Sequence, residues 1–219
     1  MNGTNKMELK QELKQTLDWS NVTFMTDEQI QAEKHAFDVE SRTEQLAKIL
    51  PKAFAQTKRA MLDQEALEQA MMWAEYPHKQ PLNLVLAGST GVGKTRIAWE
   101  AIAERYVQHG GRPIAIGAES LARRAFREHE LIDKLAWAKL VLLDDLGKEK
   151  TTPTAESTIF EVIRERTDNQ LPTIFTTNFS PKTLLPRFQQ KETGEAICRR
   201  MTDDSTIVTF EADQRKASR

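Results

Sequence analysis

A parallel α/β sheet covered by helices on both faces is the architecture this sequence predicts, on three observations. From residue 82 onward, short apolar runs alternate with helical segments of about ten or more residues, the spacing of right-handed strand, helix, strand crossovers. The runs read as buried strands, as those of a parallel sheet covered on both faces do. One of them leads directly into a glycine-rich turn that opens a helix. At 219 residues the chain has room for one sizeable core plus an appendage.

The elements follow in order. Met7, Leu9, Leu13 and Leu17 form a helical stripe, the last three spaced four apart on one face. Thr26, Asp27, Glu28 and Gln29 read as a capping box opening a helix that Pro51 stops. A third helical run extends from about Leu62 to Tyr76, with Leu67, Met71 and Ala74 on one face and Pro77 as its stop. The candidate strands are Leu82 to Ala87, Pro113 to Gly117, Leu140 to Asp144, Thr173 to Thr177 and Thr206 to Phe210. Splitting the chain at Pro51 leaves 6 basic and 9 acidic residues before it, and 25 basic and 23 acidic after it. That shift supports a boundary there, with a helical region over 1–50 and a second domain over 51–219.

Composition narrows the function classes. Hydrophobic residues make up 39% and charged residues 29%, with 9 Gly and 8 Pro, an ordinary globular profile that excludes collagen-like and mucin-like chains. Cys198 stands alone, so neither an internal disulfide nor a cysteine-based zinc site is available, and a reducing cytoplasm is expected. The N-terminus lacks an apolar signal core, and no run suits a membrane helix. A net charge of -1 excludes a global field of the histone type, so any nucleic-acid contact must be local.

Chemistry enters with Gly88, Ser89, Thr90, Gly91, Val92, Gly93, Lys94 and Thr95, a full GxxxxGK[ST] between a strand-like and a helix-like segment. Such a loop turns backbone N–H groups toward phosphate oxygens, adds a helix N-terminus, and supplies Lys94 as a point charge for the β and γ phosphates. Thr95 would ligate Mg²⁺, which makes ATP and Mg²⁺ the expected ligands. The strand-like run from Leu140 ends in Asp144 and Asp145. Asp144 is expected to hold the hydrated Mg²⁺, and Asp145 to polarise the attacking water, a role more often given to glutamate. Asn178, at the end of the Thr173 run, either orients that water or caps a turn. Arg123, Arg124 and Arg127 are expected on a helix opened by Ser120, the first and third sharing a face. They either contact a nucleic-acid backbone or form a solvated face paired with Glu128 and Glu130.

These residues resemble a known family, the AAA+ ATPases of the DnaC/DnaI helicase-loader and IstB transposition-helper group. The resemblance covers about residues 50 to 215. It rests on LPKAF at Leu50, the phosphate loop, LLDDLGKEK, IFEVIRER, TIFTTN, and GEAICRRM followed by VTFEADQR. It implies a sheet of order 5-1-4-3-2 and assembly through ATP sites shared between subunits. It also places Arg200 as the finger that reaches a neighbour's γ-phosphate, with Arg199 as the alternative register and Arg215 as a second sensor. The chain departs from the family in Thr167, where an aromatic residue is usual, and in lacking a cysteine-rich zinc module; with the sequence running to Arg219, a full lid domain is not expected.

The resemblance implies an ATPase acting as a helicase loader, with a hexameric replicative helicase and single-stranded DNA as partners and no membrane. The alternative is an IstB-like helper assembling on duplex DNA, and the ATPase core alone does not separate the two. The acidic N-terminal region, reading as a protein-docking arm, favours the loader. A small P-loop kinase is disfavoured by the Asp144-Asp145 pair and Asn178, while a nucleotide-gated binding module with little turnover stays open.

Overall fold

The computed structural model describes residues 25–77, 80–125, 127–148 and 152–210. The stripe at residues 7–17 and Arg215 lie outside the described residues. The chain divides into two units, residues 1–38 and 39–219.

In the first unit the capping box closes in both directions. Gln29 Oε1 accepts from the Thr26 amide at 2.8 Å, and Thr26 Oγ1 accepts from the Gln29 amide at 3.2 Å. Helix α1 (Asp27–Ile49) starts from this box. Along its first turns Ile30 and Phe37 are exposed, as is Met25 just before it.

The second unit holds the sheet. Helix α2 (Gln64–Glu75) is capped by Asp63, whose side chain accepts from the Ala66 amide. It starts two residues later than the sequence suggests, because a 3-10 turn at Arg59–Met61 precedes that cap. Leu67 and Ala74 are buried as expected, while Met71 is half-buried. Then come β1 (Asn83–Ala87), α3 (Lys94–His109), β2 (Pro113–Gly117), α4 (Ala118–Arg124) and α5 (His129–Trp137). They are followed by β3 (Leu140–Leu146), α6 (Pro153–Asp168), β4 (Thr173–Thr177), the single turn α7 (Pro181–Leu184), α8 (Lys191–Thr202) and β5 (Ser205–Thr209). Within this unit Arg42 donates to the carbonyls of Val107 and Gln108, and Gln45 accepts from the Tyr106 hydroxyl at 2.8 Å. These bonds fasten residues 39–49 to the last turns of α3.

All strand pairings are parallel, and the order is β2-β3-β4-β1-β5, the expected 5-1-4-3-2 read from the other edge. Alternation along each strand divides the apolar residues between two cores. Leu84, Leu86, Leu140, Leu142 and Ile174 pack under α2 and α3. Val85, Val141, Leu143 and Phe175 pack under α4, α5, α6 and α8. Among the described residues no helix is long and apolar enough to cross a membrane.

One ladder is irregular. Between β3 and β4 the register runs Leu143 to Phe175 and then Leu146 to Thr177, so Asp144 and Asp145 occupy a bulge. Asp145 has a φ of 59°, in the left-handed region. A bulge of this kind re-aims side chains at a strand end. It also explains why β3 continues two residues past the expected Asp144.

Candidate nucleotide site

The carboxyl ends of β1, β3 and β4 converge where the strand order reverses, the place where open α/β sheets bind ligands. The loop after β1 is set by its glycines. Gly93 has a φ of 102° and caps α3, a conformation that a residue with a Cβ rarely adopts. A Cβ on Gly88 would stand 2.7 Å from the Phe210 Cβ, so the loop lies directly against the end of β5.

Lys94 is 5% exposed, and its ammonium donates to three acceptors, Gly88 O, Ser89 O and Asn178 Oδ1, each at 2.8 Å. All three of its protons are thereby used. Burial pushes the Lys94 ammonium below its ordinary value. Asp145 opposes the shift, Lys148 adds to it, and Asp144 opposes it further. Asn178 is therefore drawn to Lys94 across the end of the sheet, joining β4 to the phosphate loop.

On the other side of the loop, Thr95 Oγ1 donates to Asp144 Oδ1 at 2.9 Å. The same carboxylate oxygen accepts from Thr176 Oγ1 at 2.6 Å. Thr176 is fully buried in β4, and its hydroxyl also accepts from the Asp145 amide at 2.8 Å. One side chain thus replaces the ladder bond lost at the bulge and holds both aspartates. The Asp145 carboxylate turns the other way and pairs with Lys148 Nζ at 2.7 Å.

A cavity of about 330 Å³ opens over the loop, lined among others by Thr90, Lys94, Thr95, Asp145, Lys148 and Asn178. Phe54 and Arg96 also line it, with Arg96 Cζ 5.9 Å from the Phe54 ring centroid. A larger cavity of about 950 Å³ shares Phe54 and Thr95 and reaches Asp144, but its walls are mostly apolar, including Ile49, Trp99, Ile114 and Leu142. Arg112 and Lys134 also line the larger cavity, but Lys94 and the loop amides that phosphate requires lie in the smaller one. Among the described residues no cluster of three or more His, Cys, Asp or Glu side chains could cage a metal. The Thr95 hydroxyl and Asp144 carboxylate nevertheless suit Mg²⁺, which keeps most of its waters and takes few protein ligands.

The structure brings together Gly88 to Thr95, Asp144, Asp145 and Asn178. Arg200 stands elsewhere, its guanidinium 5.1 Å from the Phe160 ring centroid on α6. Arg199 points along α8, 3.9 Å from Asp203. Beneath them, Glu156 is fully buried and accepts from the Gln189 and Gln190 amides at 2.6 and 2.9 Å, tying the start of α8 to α6.

The basic helix needs correction. Gly117 caps α4, which begins at Ala118 and ends at Arg124, so Ser120 lies inside it. Arg127 falls beyond it and shares no helical face with Arg123. Arg124 makes a two-pronged bond to Glu128, at 2.8 and 3.0 Å, while Glu130 pairs with Lys134 instead. Arg123 reaches the Ser120 hydroxyl at 3.4 Å.

Sequence reasoning missed Thr176, Lys148 and Phe54 as parts of the site. Thr176 reads as an ordinary strand former and Lys148 as a solvated charge. Phe54 was visible only as a letter within LPKAF.

The sequence pattern of the IstB-like ATP binding protein family matches residues 54–219. The replicative helicase loader DnaI of Bacillus subtilis (strain 168) is 32% identical over 119 residues, 51% of this chain and 38% of DnaI. The chain therefore aligns with little more than a third of that relative. The crystal structure of the DnaC helicase loader superposes with a TM-score of 0.64 at 20% identity, covering 74% of this chain and all of that one. A crystal structure of DnaI gives 0.62 at 21% identity, covering 73% and 94%. At these identities the superpositions establish the AAA+ fold.

Proposed function

The chain belongs to the IstB-like ATP-binding family, and on that premise we propose that it is an ATP-hydrolysing helicase loader of the cytoplasm, engaging a hexameric replicative helicase and single-stranded DNA. The observation that carries the ATPase reading is the bond from Lys94 to Asn178 at a cavity that Asp145 also lines. Similarity to a loader over 119 residues supports the biological role.

In this reading the loop amides and Lys94 bind the β and γ phosphates. Thr95 and Asp144 hold Mg²⁺, which when bound neutralises charge on the phosphate oxygens. Asn178 is shared between Lys94 and a water lined up on the γ phosphorus. Asp145 takes a proton from that water as its oxygen bonds to phosphorus and the bond to the β-phosphate oxygen breaks, leaving ADP and phosphate. Arg200 acts on the site of a neighbouring subunit, which makes turnover depend on assembly. Its place over Phe160, apart from its own loop, supports that role. Arg123, Arg124 and Arg127 remain candidates for the DNA backbone, although Arg124 must first leave Glu128.

Residues 1–50 form the docking region and 51–219 the ATPase region. Exposed Ile30 and Phe37, flanked by Asp27, Glu28, Glu33 and Asp38, support a helix that docks on a basic, apolar partner surface. Light scattering with a hexameric replicative helicase, with and without ATP and Mg²⁺ and without DNA, tests the proposal. A defined ATP-dependent complex is expected, and it is lost on deleting residues 1–38. That deletion is preferable to 1–50 because Arg42 and Gln45 bond to α3. The family match also supports a second reading, a transposition helper. Absence of any helicase complex, with oligomers forming only on duplex DNA and ATP, would establish it instead.

A further inference from the structure

Two ammonium groups line the phosphate cavity, and they are held differently. Lys94 is buried, with its three protons committed to Gly88 O, Ser89 O and Asn178 Oδ1. Lys148 lies at the mouth, and its ammonium meets the Asp145 carboxylate at 2.7 Å, with the two side chains 38% and 42% exposed. An ion pair this open to water biases an equilibrium by no more than roughly fivefold. It forms readily and is readily given up to a stronger anion.

The Asp145 backbone cannot follow such an exchange. It sits in the bulge at a φ of 59°, its amide held by Thr176 Oγ1, and its carbonyl accepts from the Lys148 amide at 3.2 Å. Only side-chain torsions are left to move. Both residues therefore stay at the cavity while their contact opens or closes.

We propose that Lys148 is a γ-phosphate ligand that Asp145 holds in the absence of nucleotide, so that a triphosphate both gains a cation and frees the carboxylate. This rests on the nucleotide-site reading above and deepens it. Without the γ-phosphate, the Asp145 carboxylate stays in contact with Lys148 and is not free to meet a water. With it, the more highly charged phosphate draws the ammonium away, and Asp145 becomes available only when there is a bond to break. A diphosphate does not reach Lys148, so Lys148 sets the preference for triphosphate over diphosphate. The lysine is thus both a substrate ligand and the restraint on the base.

Binding of a non-hydrolysable ATP analogue with an imido bridge between the β and γ phosphates, and of ADP, both with Mg²⁺, tests this on the full chain. Wild type, Lys148→Met and Lys148→Arg are compared, with melting temperature confirming that each variant folds. Lys148→Met is expected to weaken the analogue about tenfold, the loss of one charge-assisted bond offset by the ion pair no longer broken, and to leave ADP within about twofold. Lys148→Arg restores the analogue. Equal losses for both nucleotides, or no loss for either, overturn the inference while leaving the nucleotide site standing. A wild type that binds neither nucleotide removes the site itself and the inference with it.

Discussion

Replacing Thr176 by valine removes one oxygen and almost no volume. The hydroxyl it deletes gives a 2.6 Å bond to Asp144 and receives a 2.8 Å bond from the Asp145 amide, in a side chain with no exposure. A hydrogen bond to a carboxylate contributes about 1.5 to 3 kcal/mol, and a buried amide left without an acceptor costs about 1 to 3 kcal/mol. Asp144 keeps Thr95 as a partner, which places the expected loss near 3 kcal/mol. For a unit of this size each kcal/mol corresponds to about 2 to 4 °C, so melting should fall by about 6 to 12 °C. The Mg²⁺ concentration needed for half-maximal turnover should rise as well, because Asp144 is no longer held in place. Differential scanning fluorimetry and a Mg²⁺ titration of ATP turnover read the two effects. Thr176→Ser, which keeps the oxygen, should recover most of the Mg²⁺ response. A valine variant that melts within about 1 °C of wild type and turns over normally would refute the role given to this hydroxyl.

Other expectations follow from the same geometry. Because Lys94 is lowered from 10.5 by burial, between its folded value and 10.5 the unfolded chain holds the proton more than the folded one. In that window the Lys94 contribution to stability rises with pH while ATP affinity falls, seen as the difference between wild type and Lys94→Met in melting and in nucleotide titration. Burial pushes the Cys198 thiol up to about 11, leaving roughly one molecule in a thousand as thiolate at pH 8. Native protein should resist iodoacetamide and become reactive only on unfolding, as followed by mass spectrometry. Glu156→Ala strips the Gln189 and Gln190 amides of their acceptor and should lower stability by about 2 to 5 kcal/mol in a urea titration. Arg200→Ala should bind ATP as a monomer like wild type yet lose turnover that depends on assembly, measured by phosphate release across a protein-concentration series.

The sequence exposes this fold unevenly, for physical reasons. Strands β2 and β4 match their expected bounds to the residue, because glycine, proline or asparagine punctuates their ends. The capping box is legible because both of its hydrogen bonds are local. The β3 bulge is invisible in one dimension, since two aspartates after an apolar run read equally well as a strand end and as an insertion in the ladder. Thr176 depends on a contact 32 residues away, and nothing local distinguishes it from Thr173 or Thr177. The basic segment misleads because its four-residue spacing is helical in form, yet the backbone leaves the helix at Arg124. Arg166 is likewise unreadable as a core residue. It is 1% exposed and donates to Thr173 Oγ1 and to the carbonyls of Leu135, Ala138 and Pro172, with burial lowering its guanidinium to about 9.

The bulge also bears on which residues this position can accept over evolutionary time. A left-handed backbone favours glycine first and asparagine or aspartate next, whose short polar side chains satisfy themselves locally. At a φ of 59° Asp145 meets that preference, whereas glutamate would bring a longer reach at the cost of its backbone. A lineage that kept this kink would drift among aspartate, asparagine and glycine, and only aspartate among them supplies a base. One that straightened the strand would be free to adopt glutamate. The paired aspartates are therefore a dialect set by the main chain, and replacing the second letter requires rewriting the ladder beneath it.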